Sequence, residues 1–232
     1  MDVNTSSVIV PIAHIENDFI TTKGIPRQSG IIKDMKSRII FEPEYRLPEL
    51  FQGIEECRHI WLIWQFSENL KSGWNPLVNP PNSATGIKKG VFATRTPFRP
   101  NSLGISCVDL AGIEKDSNLG PVLIVEGADL MNGTPIFDIK PYVYFSDCMT
   151  DGYKHIENKN LKYILQVNFP DDLMNKVTKE SRNILIDILA SDPRPYSKKI
   201  TEQIHRFLFG KTEIDFIVKI NVLTVSNIKN LL

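Results

Sequence analysis

Signatures that would fix a reaction at once are missing from these 232 residues. No G-x-G-x-x-G follows a strand-like run, which excludes a dinucleotide or methyl-donor site of Rossmann type, and no G-x-x-x-x-G-K-[ST] is present, which excludes a P-loop. No serine stands in a G-x-S-x-G elbow. His14, His59, His155 and His205 are isolated, none in metal-ligand spacing, so no metal is expected. Cysteine is scarcer still. Cys57, Cys107 and Cys148 are odd in number and widely spaced, which argues against a disulfide framework and a structural zinc. Neither sign of charge is in excess: 27 Lys and Arg balance 27 Asp and Glu. That excludes an indiscriminate, strongly basic nucleic-acid binder and leaves room for a local basic face. No apolar run reaches membrane-span length, and no basic segment leads an apolar one at the N-terminus, so a cytoplasmic location without a membrane partner is expected.

What is present centres on residues 86–104. Lys88, Lys89, Arg95 and Arg99 fall here, and no acid follows until Asp109. Pro97 and Pro100 fix φ and remove amide donors, so Thr96 to Asn101 reads as a stiff loop after a short strand, Val91 to Thr94. Guanidiniums on a preset backbone suit a carboxylate, a phosphate or a base edge, because little entropy is left to lose on binding. Solvated arginines on a turn are the plain alternative. A further arginine, Arg27, follows Pro26 in a loop punctuated by Gly24 and Gly30.

The chain reads as mainly β. Strands are expected over Ser7–Ile15, bent at Pro11, and over Arg38–Phe41. Ile60–Phe66, almost wholly apolar, reads as a strand buried on both faces. Pro48 permits one helical turn in Leu47–Gly53. Gly104–Leu110 and Pro121–Glu126 form a pair across a polar turn, and Asn132-Gly133 turns the chain into Pro135–Tyr144. Many short strands at close spacing favour a closed or nearly closed structure, which removes edges. After Tyr153 the pattern changes to a strand over Leu161–Asn168, one helix capped by Asp171 or Asp172 and stopped at Asp192-Pro193-Arg194-Pro195, and a hairpin around Gly210. The expected division is a β-barrel domain over residues 1–155 and a small α+β appendage over 156–232, docked on it.

A second constellation runs from Asp129 to Tyr142. If its latter part is a strand, Asp138, Lys140 and Tyr142 share one face, and a surface ion pair between Asp138 and Lys140 would account for two of them.

Gly90-Val91-Phe92-Ala93-Thr94-Arg95-Thr96-Pro97-Phe98-Arg99-Pro100-Asn101-Ser102-Leu103-Gly104 closely resembles the G-V-F-A-T-R-[ST]-x-[FH]-R-P-N-P-[IL]-G signature of the TrmO (TsaA/YaeB-like) family. Pro26-Arg27-Gln28 resembles that family's P-R-Q loop, and Asn132 to Tyr142 its D-G-T-P-[VL]-x-D-I-K-P-Y run. Asp192 to Pro195 matches its D-P-R-P turn. The resemblance covers nearly the whole chain. It implies a homodimeric β-barrel methyltransferase that uses S-adenosylmethionine on N6 of threonylcarbamoyladenosine at tRNA position 37. A non-catalytic barrel that binds S-adenosylmethionine or RNA is the alternative.

The resemblance places cofactor contacts at Pro26, Arg27, Gln28, Arg95, Ile105, Leu130, Met131, Asn132 and Gly133, with Ser67 and Glu68 as further candidates. The target N6 carries a carbamoyl group and is a poor nucleophile, so an acceptor or base is needed; Asp138 and Tyr142 are the expected ones. Arg95, Arg99 or Lys140 would meet the threonyl carboxylate. The tRNA anticodon loop would rest on Lys88, Lys89, Arg99, Lys140, Arg194, Lys198 and Lys199. The loop from Trp74 to Pro81 is expected to contribute to the dimer. Three departures stand out: Asn132 for Asp, Ser102 for the second proline of R-P-N-P, and Ser67-Glu68 for His-Gln.

Overall fold

The structure, a computed structural model, describes residues 8–79, 87–149, 165–194 and 202–231. Its elements are β1 (Ala13–Glu16), β2 (Lys36–Phe41), β3 (His59–Gln65), β4 (Leu77–Val78), β5 (Lys89–Gly90), β6 (Leu103–Asp116), β7 (Gly120–Glu126), β8 (Pro135–Pro141) and α1 (Tyr144–Asp147), then β9 (Gln166–Asn168), α2 (Asp171–Met174), α3 (Lys179–Ala190), β10 (His205–Phe209), β11 (Thr212–Lys219) and β12 (Val222–Asn230).

Six strands pair in the order β1-β2-β7-β6-β3-β8, and β8 returns to β1 through Ala13–Ile136 and His14–Pro135. Every pair is antiparallel. Each strand turns alternate side chains inward. Ile60, Leu62 and Trp64 of β3 meet Ile15, Val108, Leu123 and Ile136 in the enclosed core. Trp61, Ile63 and Gln65 stay on the outer face, half-buried. The expectation of a strand buried on both faces is thus corrected. A single sheet closed on itself has one inside, so its apolar run divides between core and outer surface.

Two irregularities matter. In β8, Ile63 opposes Asp138 while Trp64 opposes Ile136, so Phe137 is an extra residue. The bulge lets both Ile136 and Ile139 pack on the core. Val91–Ala93 forms a 3-10 turn rather than the expected strand. Arg99 Nη1 donates to Thr94 O at 2.7 Å and Val91 O at 3.3 Å, satisfying carbonyls that a strand neighbour would otherwise take.

The C-terminal residues form a four-stranded sheet, β10-β11-β12-β9, with β9 parallel to β12. Two helices replace the single expected one: α2 ends at Met174, and α3 starts anew after Thr178, burying Leu185, Ile188 and Leu189. Val222–Asn230 is a separate third strand after the hairpin. This second core also takes in Phe19, Ile32 and Met35 from the β1–β2 connection. Gly210 N donates to Asp18 O at 2.7 Å, a direct backbone tie between the two units.

Candidate active site

Antiparallel register brings the C-terminal end of β3 and the N-terminal ends of β6 and β8 to one end of the ring, where Gln65 opposes Leu103 and Trp64 opposes Ile136. Four connections converge there: residues 22–28, 66–69, 94–99 and 129–134. They enclose a cavity of about 410 Å³, within the size range of small-molecule sites. Its floor is aromatic, with the rings of Trp64 and Phe66 edge to face at 4.3 Å. Gly104 is bare because Trp64 fills the space; a Cβ there would lie 2.5 Å from the indole.

Pro26, Arg27, Gln28, Ser67, Glu68, Arg95, Arg99, Ile105 and Met131 all line this cavity. Arg95 Nη1 donates to Gln28 Oε1 at 2.6 Å, and Gln28 Nε2 donates to Arg27 O at 2.5 Å. The P-R-Q loop and the arginine loop, 67 residues apart in sequence, are thereby joined.

Leu130, Asn132 and Gly133 act behind the wall. Leu130 is buried in the barrel core. Asn132 Oδ1 accepts from Asn17 N at 3.0 Å, a role that the aspartate of relatives' D-G-T-P would fill equally, and Gly133 takes φ +77° in the turn. Asn17 Nδ2 donates to Leu130 O, fastening the same turn to the end of β1.

The structure does not bring Asp138 or Tyr142 to the cavity. Asp138 lies on the outer face opposite Ile63, where its carboxylate meets Lys140 Nζ at 3.0 Å and its own neighbour Ile139 N at 2.9 Å. Tyr142 donates its amide to His59 O and packs on the His59 and Trp61 rings. That is the other end of β3, about 20 Å away at the rise of an extended strand. Burial raises the Tyr142 phenol above its usual range, with Cys148 adding to the effect. Lys140 is likewise remote from the cavity.

Among the expected RNA contacts, Lys88 and Lys89 are exposed beside the arginine loop. Arg194 corrects its expectation. Its side chain is 5% exposed and that of Asp192 1%, and Nε donates to Asp192 Oδ1 at 2.8 Å, so Arg194 is half of a buried ion pair and no phosphate contact. Lys198 and Lys199 lie outside the described residues.

Asp129 also lines the cavity, a position to which its sequence context assigns no role. Trp64 Nε1 donates to Ser106 Oγ at 2.9 Å, and Ser106 Oγ donates to Asp129 Oδ1 at 2.5 Å. Burial pushes this carboxyl above the usual carboxylate range, against the opposing pull of the Ser106 hydroxyl and, more weakly, the Arg95 charge. The signal available in the sequence was an acid set between Ala128 and Leu130, both of which the fold buries. Among the described residues no group of three or more His, Cys, Asp and Glu could hold a metal ion, and no helix is long and apolar enough to cross a membrane.

A six-stranded ring with a loop-built cavity at one end and an α+β unit behind it is the class that fold and site define. Residues 14–148 match the family described as tRNA-methyltransferase O N-terminal domain. Over 183 residues the chain is 32% identical to the Escherichia coli K12 protein named tRNA (adenine(37)-N6)-methyltransferase, covering 75% of this chain and 77% of that one. It is 36% identical over 162 residues to an Eikenella corrodens protein of the same name, covering 68% and 89%. A crystal structure of TrmO from Pseudomonas aeruginosa shares the fold, with a TM-score of 0.78 over 97% of this chain and 99% of that chain at 24% identity. The chain belongs to the tRNA-methyltransferase O family.

Proposed function

We propose that this protein methylates N6 of threonylcarbamoyladenosine at tRNA position 37, with S-adenosylmethionine as the methyl donor. The observation that carries the reading is the convergence of the P-R-Q loop, the Arg95–Arg99 loop and the 129–134 turn on one cavity. The residues present fit such a donor. An aromatic floor suits a nucleoside, and guanidiniums at Arg27 and Arg95 suit an amino-acid carboxylate. When bound, it supplies an electrophilic methyl on a sulfonium. The chain's own contribution is positioning: loops pinned to each other and to β1 hold the reacting groups at bonding distance and shed water, which supplies much of the rate in such a displacement. With Arg27 and Arg95 placed on the donor, Arg99 is the remaining cation among the described cavity residues for the threonyl carboxylate. Lys88 and Lys89 extend that positive surface toward RNA phosphates.

A homodimer is part of this reading. Ile105 is 49% and Phe145 89% exposed, with Tyr144 and Met149 also open, so apolar surface is left uncovered on the outer β6 face and on α1. Trp74, in the loop expected to join the interface, is exposed as well. Light scattering at micromolar concentration is expected to give the dimer mass, and a monomer alone contradicts it.

Nothing about the cavity favours a non-catalytic binder. Mass spectrometry of tRNA nucleosides from cells with and without the gene tests the activity. The methylated threonylcarbamoyladenosine is expected to vanish in the deletion; its unchanged persistence sinks the reading.

A further inference from the structure

We infer that Asp129 is the catalytic acceptor for the N6 proton, and that Ser106, itself held by the Trp64 indole, positions its carboxylate. The inference rests on the methyl-transfer reading above. As the bond from N6 to the methyl carbon forms and the methyl–sulfur bond breaks, its electron pair staying on sulfur, N6 must lose one proton. Asp129 takes that proton on its carboxylate and releases it to solvent after product leaves.

Three observations support the assignment. Among the described residues two carboxylates line the cavity, Glu68 and Asp129. Glu68 is exposed on a short 3-10 segment. Asp129 is partly buried and fixed through Oδ1 by a bond that ends in the barrel core, since Ser106 and Trp64 are both buried. The backbone amides of Asp129 and Ser29 also bond this carboxylate, so its orientation at the cavity wall is fixed. The charged groups facing the cavity are Arg27, Arg95, Arg99 and Glu68, and among them Arg95 lies close enough to favour the ionised form of Asp129. A carboxylate made more basic by burial accepts a proton more readily near neutral pH than a solvated one. The Ser106 hydroxyl and Arg95 keep that basicity from removing the charge altogether.

The test compares wild type, Asp129→Asn and Ser106→Ala in three measurements. These are S-adenosylmethionine binding by calorimetry, single-turnover methyl transfer to tRNA across pH, and titration of the Asp129 carboxyl in the ligand-free protein by carbon NMR. Asp129→Asn is expected to bind the donor within about twofold and to lose roughly 10²–10⁴ in single-turnover rate, the usual worth of a proton acceptor. Ser106→Ala removes a donor that favours the ionised form, so the acid limb of the rate profile and the carboxyl titration are both expected to move to higher pH, together. If Asp129→Asn loses donor affinity and keeps its turnover at saturation, Asp129 is a binding group and the inference falls. It falls equally if Ser106→Ala leaves both pH curves in place. A wild-type protein that methylates no tRNA overturns the functional reading and this role with it, whereas a wild type and an Asp129→Asn variant that transfer methyl equally fast overturn the role alone.

Discussion

The ring of Phe207 in β10 lies against Gly24, so closely that a Cβ at residue 24 would stand 2.7 Å from its Cδ2. Gly24 also holds φ +87°, a conformation that L side chains rarely adopt. The loop that carries Pro26, Arg27 and Gln28 into the cavity is therefore seated on the C-terminal sheet. Gly24→Ala is expected to lose about 2–4 kcal/mol of stability from strain and overpacking together and to weaken S-adenosylmethionine binding. Phe207→Ala added to Gly24→Ala should relieve the overpacking and leave the strain. Denaturant midpoints for the two single variants and the double variant check this. Strictly additive losses would show that the two residues do not interact.

Arg95→Ala is expected to weaken donor binding by about 1.5–3 kcal/mol, the range for a hydrogen bond to a charged group. It also frees Gln28 Oε1. Calorimetry on the purified variant decides, and an unchanged affinity would assign Arg95 to the RNA or to the scaffold.

Ser102 sits at φ +49°, where relatives with R-P-N-P carry a proline. A proline ring locks φ near −65°, so a proline could not adopt the conformation that Ser102 holds here. Ser102 O accepts from Phe66 N at 2.9 Å, which ties the left-handed turn to the cavity floor. Ser102→Gly is expected to gain about 1 kcal/mol by removing a strained side chain, and Ser102→Pro to lose 3 kcal/mol or roughly so. Thermal melts of the pair check the signs.

The Asp129 carboxyl also has a stability signature. Its pKa is higher folded than unfolded, so the folded state holds the extra proton, and stability falls as pH rises from the ordinary carboxylate range through the raised value. Asp129→Asn keeps an acceptor for Ser106 and removes the cost of a buried charge. Its melting temperature is expected to exceed that of wild type at neutral pH, with the excess closing near pH 4 or about there, where the unfolded carboxyl protonates. A variant less stable than wild type at pH 7 would contradict that sign.

The Asp192–Arg194 pair is buried on both sides. Arg194→Met is expected to cost about 3–5 kcal/mol by removing the opposite charge beside a buried carboxylate, while Asp192→Asn combined with Arg194→Met should recover much of that loss. Equilibrium unfolding in urea checks both.

The arginine loop was legible because Pro97 and Pro100 forbid regular structure whatever surrounds them. The turn at Asn132-Gly133 was legible for a similar reason, since glycine tolerates its positive φ. The outward position of Asp138 was not legible, because alternation says which residues share a face but not which face is inside. The extra residue at Phe137 then decouples Asp138 from the parity of Ile136. Asp129 was not legible, because its basicity comes from burial where its own loop meets three others distant in sequence. Arg194 read as a surface cation because its partner lies two residues away in a turn, a spacing equally common in solvent. The break between α2 and α3 left no proline or glycine to mark it.

Phe19, Ile32 and Met35 belong by sequence to the barrel half and by packing to the C-terminal core. A gene cut short after the barrel would turn three apolar side chains out to water, on the order of 5 kcal/mol of burial forgone, and would remove the seat of the loop around Gly24. The C-terminal unit cannot be shed as a passenger. Any lineage that discards it must rewrite at least these three positions, far upstream of the truncation, or supply a different protein to cover them.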